Sequence, residues 1–137
     1  MSVVAKVGAL IAAVLVVSGG AGCGGSGSTS PRDELSKFVV DYVDNNRGGC
    51  CELGMHVKVD HIRFAPSNPR WAAVSMAVTA ANGSPDGTDY LVARKIGSHW
   101  TVVGFGKGTI GCHVPVALRT ALAVGLPDGL LDCSTAG

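Results

Sequence analysis

Several features that mark common classes of protein are scarce in this chain of 137 residues. Aromatic residues make up only 5% of it, and the lysines and arginines form no cluster along the sequence. Because nucleic-acid binding depends on clustered basic residues or on aromatic rings that stack on bases, we expect no nucleic-acid partner. A membrane-spanning helix needs roughly twenty apolar residues. The apolar run over residues 7–17 has eleven, so a permanent transmembrane helix is not expected.

The first 22 residues have the layout of a secretory signal peptide. Lys6 provides a positive charge, residues 7–17 are apolar, and small residues follow up to position 22. Removal of this segment on export leaves ten basic and ten acidic residues, since Lys6 is one of the eleven basic residues in the chain. The mature protein then has no net charge and is long enough for one domain.

The residues around Cys23 resemble the signal of bacterial lipoproteins. Ala21 and Gly22 fit the positions before the cysteine, while Gly20 departs from the aliphatic residue that is usual at the third position back. The resemblance implies cleavage before Cys23, a diacylglycerol on its thiol, and a lipid anchor at the outer face of the cell membrane. The alternative is ordinary secretion, with cleavage after Ala21 or Gly22 and a free thiol at Cys23.

The odd number of cysteines is consistent with lipidation of Cys23. The remaining four are Cys50, Cys51, Cys112 and Cys133. Outside the cytoplasm they are expected to form two disulfides, for which three connectivities exist. A ring between adjacent cysteines is strained, so we expect Cys50 and Cys51 each to bond to Cys112 or Cys133.

Residues 31–137 are predicted to form one α+β domain on a Gly- and Ser-rich tether over residues 23–30. Hydrophobic periodicity and turn residues predict a helix over 31–46, strands over 57–64, 71–80, 89–96 and 99–105, and a short helix over 115–124. Short turns join the later strands, so we expect an antiparallel meander with the first helix packed across one face. This outline is similar to cystatin-like and nuclear-transport-factor-like rolls. In the first predicted strand the apolar residues change from odd positions, Val57 and Val59, to even ones, Ile62 and Phe64. This change predicts a bulge near Asp60 and His61.

The segment over residues 100–133 resembles the C-terminal part of small exported proteins that are common in actinobacteria. It runs from a Trp-containing strand through a glycine turn to Cys112, a Val-Pro helix start and a final cysteine, Cys133. The resemblance implies that the neighbourhood of Cys112 and Cys133 is structural. It implies no active site, because such proteins generally have no assigned activity.

Candidate catalytic residues are few, and no G-x-S-x-G motif is present. Asp60, His61 and His99 are candidates for an Asp–His pair that meets across the sheet. Ser75, in the second predicted strand, has no recognisable nucleophile motif around it. We therefore expect a non-enzymatic binding protein. The alternatives are a small exported hydrolase that uses a sheet histidine and a structural component of the cell envelope.

Two weaker patterns point to cofactors. The residues Gly106, Gly108 and Gly111 match G-x-G-x-x-G, but the next helix begins late and the strands are antiparallel, so dinucleotide binding is not expected. Candidate zinc ligands are Cys50, Cys51, His56 and His61. In an oxidising compartment the thiols are expected to pair with each other instead. We therefore expect neither a metal nor a cofactor.

Trp71 and Trp100 open the second and fourth predicted strands. Either ring is a candidate platform for a small ligand or a protein partner, and the alternative for both is a place in the core. The short second helix carries few large side chains, so we expect it to cover its face of the sheet incompletely. A shallow groove beside Trp71 or Trp100 would then be the contact surface.

Overall fold

The computed structural model describes residues 29–133. The chain divides into two units, residues 1–30 and 31–137, and of the first unit only the exposed residues Thr29 and Ser30 are described. The predicted signal peptide and Cys23 lie outside the described residues. Within residues 29–133, no helix has the length and apolar character needed to cross a membrane.

The second unit has an α+β fold in which an N-terminal helix packs on a four-stranded antiparallel meander and a short C-terminal helix follows. The elements are α1 (Pro31–Asp44), β1 (His56–Ala65), β2 (Asn68–Thr79), β3 (Pro85–Ile96), β4 (His99–Gly106) and α2 (Val116–Leu122), with a 3-10 turn at Arg47–Gly49. The strands lie in the order β1-β2-β3-β4, so β1 and β4 form the two edges. The predicted architecture is confirmed.

Helix α1 forms where the sequence combines a favourable start with an apolar stripe. Pro31 occupies the first position, where its missing N–H costs nothing. Leu35, Val39 and Val43 recur at intervals of four residues and are fully buried against the sheet. The helix ends at Asp44, slightly before the predicted end, and Asn46 then adopts a left-handed conformation with φ of 50°.

Each face of the sheet has its own hydrophobic cluster. Strand β2 contributes Val74 and Met76 to the cluster under α1, and Trp71 and Ala73 to the cluster on the opposite face. We call these the α1 face and the α2 face, because Leu122 of α2 belongs to the second cluster. The alternation follows directly from the two-residue period of a strand.

The predicted bulge in β1 is confirmed. The register against β2 shifts between Val59 and His61, so Asp60 is the extra residue. Val59 lies on the α1 face before the shift, and Ile62 and Phe64 lie on the same face after it. The bulge therefore turns His61 toward the α2 face, together with every second residue that follows it in β1.

The starts of two strands differ from the prediction by more than one residue. Strand β2 begins at Asn68 instead of residue 71, because Asn68 pairs with Ala65 across a tight turn. Pro69 is tolerated there because the pairing of β2 with β3 begins only at Trp71. Strand β3 begins at Pro85 instead of residue 89, since Thr79 pairs with Pro85 beyond an irregularity in the ladder.

The α2 face is covered more completely than predicted, because the segment after α2 folds back over it. Ile110 N donates to Leu130 O at 2.8 Å, and Gly111 N donates to Asp132 O at 3.3 Å. These bonds bring Leu130 and the neighbouring Leu131 into the cluster that contains Trp71. The prediction considered the leucines of the helix alone and missed those of the tail.

Candidate functional site

The disulfides connect different partners from those expected. The sulfur atoms of Cys50 and Cys51 are bonded to each other, and those of Cys112 and Cys133 are bonded to each other. The expected bonds between the two pairs do not form because the sheet separates them. Cys51 packs against the α1-face cluster, whereas the neighbours of Cys112 and Cys133 belong to the α2-face cluster.

Trp71 and Trp100 lie in the core on opposite faces of the sheet. Trp71 is 6% exposed in the α2-face cluster, and Trp100 is 8% exposed in the α1-face cluster. The Arg94 guanidinium lies 5.5 Å from the centre of the Trp71 ring, and Lys95 Nζ lies 5.7 Å from that of Trp100. Neither ring presents an open face, so neither forms the wall of a groove.

The predicted Asp–His constellation does not assemble. His61 is on β1 and His99 is on β4, which are the opposite edges of the sheet. Asp60 is the exposed bulge residue next to His61. Of the candidate zinc ligands, Cys50 and Cys51 are bonded to each other, and His56 Nδ1 pairs with Asp44 Oδ2 at 3.3 Å. No cluster of metal-binding side chains occurs in the described part of the chain.

The glycine-rich turn after β4 is required for close backbone packing. A Cβ atom at Gly104 would overlap the carbonyl of Ile110, and one at Gly111 would overlap the carbonyl of Leu131. These glycines let the turn lie flat on β4 and let the tail lie on the turn. Lys107, within the turn, reaches back to the β3 strand, where its Nζ lies 2.6 Å from Asp89 Oδ1.

A cavity of about 440 Å³ lies beside β1, an edge strand of the sheet. Its floor contains Ala73 and Ser75 of β2, and Val124 and Leu126 of the segment after α2 form an apolar wall. The polar side chains that line it are Arg32, His61, Arg63 and Ser75. The volume falls within the range of about 300–1,000 Å³ that is typical of small-molecule sites.

The charge of the cavity has one sign. Its ionisable lining comprises Arg32 from α1 and His61 and Arg63 from β1, and no acidic side chain of residues 29–133 lines it. Arg63 Nε donates to the carbonyl of Ala121, which holds the guanidinium at the cavity. Arg32 is exposed and makes no ion pair or hydrogen bond within the described residues. No carboxylate within residues 29–133 therefore pairs with either guanidinium.

Ser75 is the polar residue at the floor. It is 8% exposed, and its hydroxyl makes no hydrogen bond among residues 29–133. In the β1–β2 register Ser75 lies directly opposite His61, which places their Cβ atoms about 4.5–5.5 Å apart. The two side chains line the same cavity without bonding to each other.

Sequence reasoning named His61 and Ser75 but missed Arg32 and Arg63. The parity change at the β1 bulge was the available signal for Arg63, since it puts residues 61 and 63 on one face. No comparable signal existed for Arg32, which lies in α1 outside its apolar stripe. Only the packing of α1 beside β1 brings that side chain to the cavity.

Comparison with known proteins provides no relative from which a function could be transferred. No protein-family model matches the chain, and no curated protein or solved structure matches it. The resemblances of residues 1–23 and 100–133 therefore stay predictions.

Proposed function

We propose that this protein is an exported lipoprotein whose domain binds a small ligand in the cavity beside β1. Cys23 is the anchor, and the domain lies at the outer face of the cell membrane on its tether. The observation that carries the binding function is the cavity itself, which combines an apolar wall with a few convergent polar groups. That combination is typical of ligand sites in proteins.

The cavity favours binding over catalysis. His61 makes no hydrogen bond to Ser75 and has no carboxylate partner among the described residues. A general base that activates a hydroxyl is normally within hydrogen-bond reach of it and is oriented by a third group. Neither relation is present here, so the proposed function is non-enzymatic.

A small hydrolase is the second candidate, for one specific reason. His61 and Ser75 are cross-strand partners that line one cavity, and catalytic hydrogen bonds often tighten only when substrate binds. Hydrolysis of p-nitrophenyl butyrate by the wild type and by Ser75→Ala and His61→Gln variants separates the two candidates. Turnover that both substitutions abolish would establish the hydrolase and overturn the non-enzymatic proposal.

The binding function is tested by filling the cavity. Ala73 is buried on its floor, and Ala77 lies four residues further along the same strand and on the same face but is exposed and outside the cavity. The wild type, Ala73→Leu and Ala77→Leu are each incubated with a small-molecule extract of the producing cells, and retained compounds are measured by native mass spectrometry. We expect Ala73→Leu to lose the retained compound and Ala77→Leu to keep it. Equal retention by all the proteins would contradict the proposal.

A further inference from the structure

We infer that the ligand of the cavity beside β1 is an organic acid, a small molecule with a carboxylate or phosphate group and a short apolar body. This inference rests on the proposed binding function and names the chemical class of the ligand. It follows from the positive charge of the lining, the position of the Arg63 guanidinium, the available hydroxyl of Ser75 and the apolar wall.

The charge of the lining selects an anion. Arg32 and Arg63 both line the cavity, and no carboxylate of the described residues accompanies them. A guanidinium presents its N–H groups in a planar fork that matches the two oxygens of a carboxylate or phosphate. A cationic ligand would be repelled by both side chains, and a neutral one would leave their charges unpaired.

Arg63 is already held in place before a ligand arrives. Its Nε is occupied by the carbonyl of Ala121, and it has no acidic partner in residues 29–133. The terminal nitrogens are therefore left for a ligand. Because the side chain is already ordered, a ligand that binds it loses less conformational freedom than one that must order a mobile arginine.

Ser75 provides a hydrogen-bonding group for a polar atom of a ligand in the cavity. The Ser75 hydroxyl makes no hydrogen bond within residues 29–133, and Ser75 lines the cavity, so the hydroxyl is available to a ligand there. Ser75 lies beside Ala73 on the floor, across the strands from His61. An oxygen atom of the ligand would accept its hydrogen bond, which an all-hydrocarbon ligand could not do.

The rest of the ligand is apolar and short. Val124 is 57% exposed although it borders the cavity, and Leu126 is half-buried beside it. A hydrocarbon segment placed against these side chains would remove their surface from water. The cavity volume of about 440 Å³ lies at the lower end of the range for ligand sites, which restricts the length of that segment.

The test uses a set of amphiphiles that differ only in the head group: octanoate, octyl phosphate, octanol and octylammonium. Each is titrated below its micelle concentration into the Cys23→Ser protein in the form in which it is secreted, and amide NMR shifts are recorded. We expect octanoate and octyl phosphate to shift amides of β1 and β2 around His61 and Ser75. Octanol and octylammonium are expected to bind at least about tenfold more weakly, since charge-assisted hydrogen bonds are lost.

Variants identify the groups that hold the anion. Arg32→Gln removes an exposed side chain with no intramolecular partner, so the protein is expected to fold and to bind octanoate about tenfold more weakly. Arg63→Lys retains the positive charge but lacks the planar fork of N–H groups, so it should weaken octanoate binding as well. Arg47→Gln is the matched control, because Arg47 lies outside the cavity and pairs with the exposed Asp41. It should leave the Kd unchanged.

The anionic group could belong to a free acid or to a lipid head group, and vesicles distinguish these sources. Cosedimentation with phosphatidylglycerol vesicles but not with phosphatidylcholine vesicles, reversed by octyl phosphate, would assign the site to a lipid head group. Octanoate binding without cosedimentation would assign it to a free acid. Either result supports the inference.

Equal affinity for octanoate, octanol and octylammonium would overturn the inference while leaving the cavity as a binding site. So would the failure of every amphiphile to bind if Ala73→Leu still abolishes retention of a compound from the cell extract. Failure of the amphiphiles together with equal retention by Ala73→Leu and Ala77→Leu would instead overturn the proposed function.

Discussion

At the residue scale, Asp89 shows how a buried charge is tolerated in this small domain. Its carboxylate is 6% exposed on β3, and Lys107 reaches over it from the turn after β4. Lys107 Nζ also donates to the carbonyl of Asp86 at 2.8 Å. The contact with Asp89 raises the pKa of Lys107 above its ordinary value, because the carboxylate stabilises the charged ammonium.

We expect Lys107→Met to lower the free energy of unfolding by about 1–2 kcal/mol at neutral pH, since it leaves Asp89 buried without a countercharge. The loss is smaller than for a fully buried pair because the Lys107 side chain is 53% exposed and water screens the contact. Urea denaturation measures it, with Lys58→Met as the control at an exposed lysine that has no partner among the described residues.

The same pair predicts a pH dependence. Because the pKa of Lys107 is raised in the folded state from 10.5, its stabilising contribution is fully present below that value. It is lost as the pH rises through the raised pKa. The difference in stability between the wild type and Lys107→Met should therefore shrink at strongly alkaline pH, and a difference that grows there would contradict this assignment.

At the scale of elements, the C-terminal segment is held by close packing between backbone segments and by a disulfide bond. The turn at residues 107–111 lies between β4 and the tail; Gly104 of β4 leaves room for the carbonyl of Ile110, and Gly111 of the turn leaves room for that of Leu131. The Cys112–Cys133 disulfide then closes the segment that contains α2. Together these contacts hold Leu130 and Leu131 over the α2 face and fix the wall of the cavity.

We expect Gly111→Ala to destabilise the domain by about 1–3 kcal/mol, because its Cβ would overlap the carbonyl of Leu131 and force the tail away. Gly108→Ala is the matched control in the same turn, since a Cβ there meets no atom within 4 Å. Thermal unfolding of both variants measures the effect. Equal midpoints for the two variants would show that the tail does not pack closely on Gly111.

The two disulfides should differ greatly in their effect on stability. Replacing Cys112 and Cys133 together by Ser opens a loop with a sequence separation of 21, for which the loss is about 3 kcal/mol. Replacing Cys50 and Cys51 together by Ser opens a loop between adjacent residues, which restricts the unfolded chain very little. Denaturation of the two double variants under non-reducing conditions measures the difference, and similar losses would contradict the pairing.

At the scale of the whole molecule, the proposed function depends on an anchor and a domain that are separate in sequence. The proposed anchor is Cys23, and the cavity belongs to the unit that begins at residue 31. A ligand-binding domain held at the membrane surface would meet its ligand outside the cytoplasm. The balanced charge of the mature chain gives it no general attraction for polyanions, so the positive cavity is a local feature.

We expect Cys23→Ser to abolish incorporation of labelled fatty acid and to release the protein in soluble form, because the thiol that would carry the lipid is absent. Metabolic labelling followed by membrane fractionation measures both effects. The matched control is Ser26→Ala in the tether, which should leave labelling and fractionation unchanged. A wild-type protein found unlabelled in the medium would refute the anchor and favour ordinary secretion.

The sequence by itself determined the elements and their order, because the signals for them are local. The apolar stripe of α1 predicted its buried face, and the parity change at Asp60 predicted the β1 bulge. Short turns between strands predicted the antiparallel meander. Boundaries such as the start of β2 at Asn68 were missed, since they depend on pairing with Ala65 and not on propensity.

Only the tertiary structure decided which distant residues meet. Disulfide partners depend on which face of the sheet each cysteine occupies, whereas the bond between Cys50 and Cys51 was not expected because a ring between adjacent cysteines is strained. Arg32 and Arg63 are far apart in the chain and lie in different elements, so no periodicity connects them. They share a cavity because α1 and the segment after α2 pack beside one edge strand and leave a space there. Periodicity determines which way a side chain faces, whereas packing between elements determines what lies opposite it.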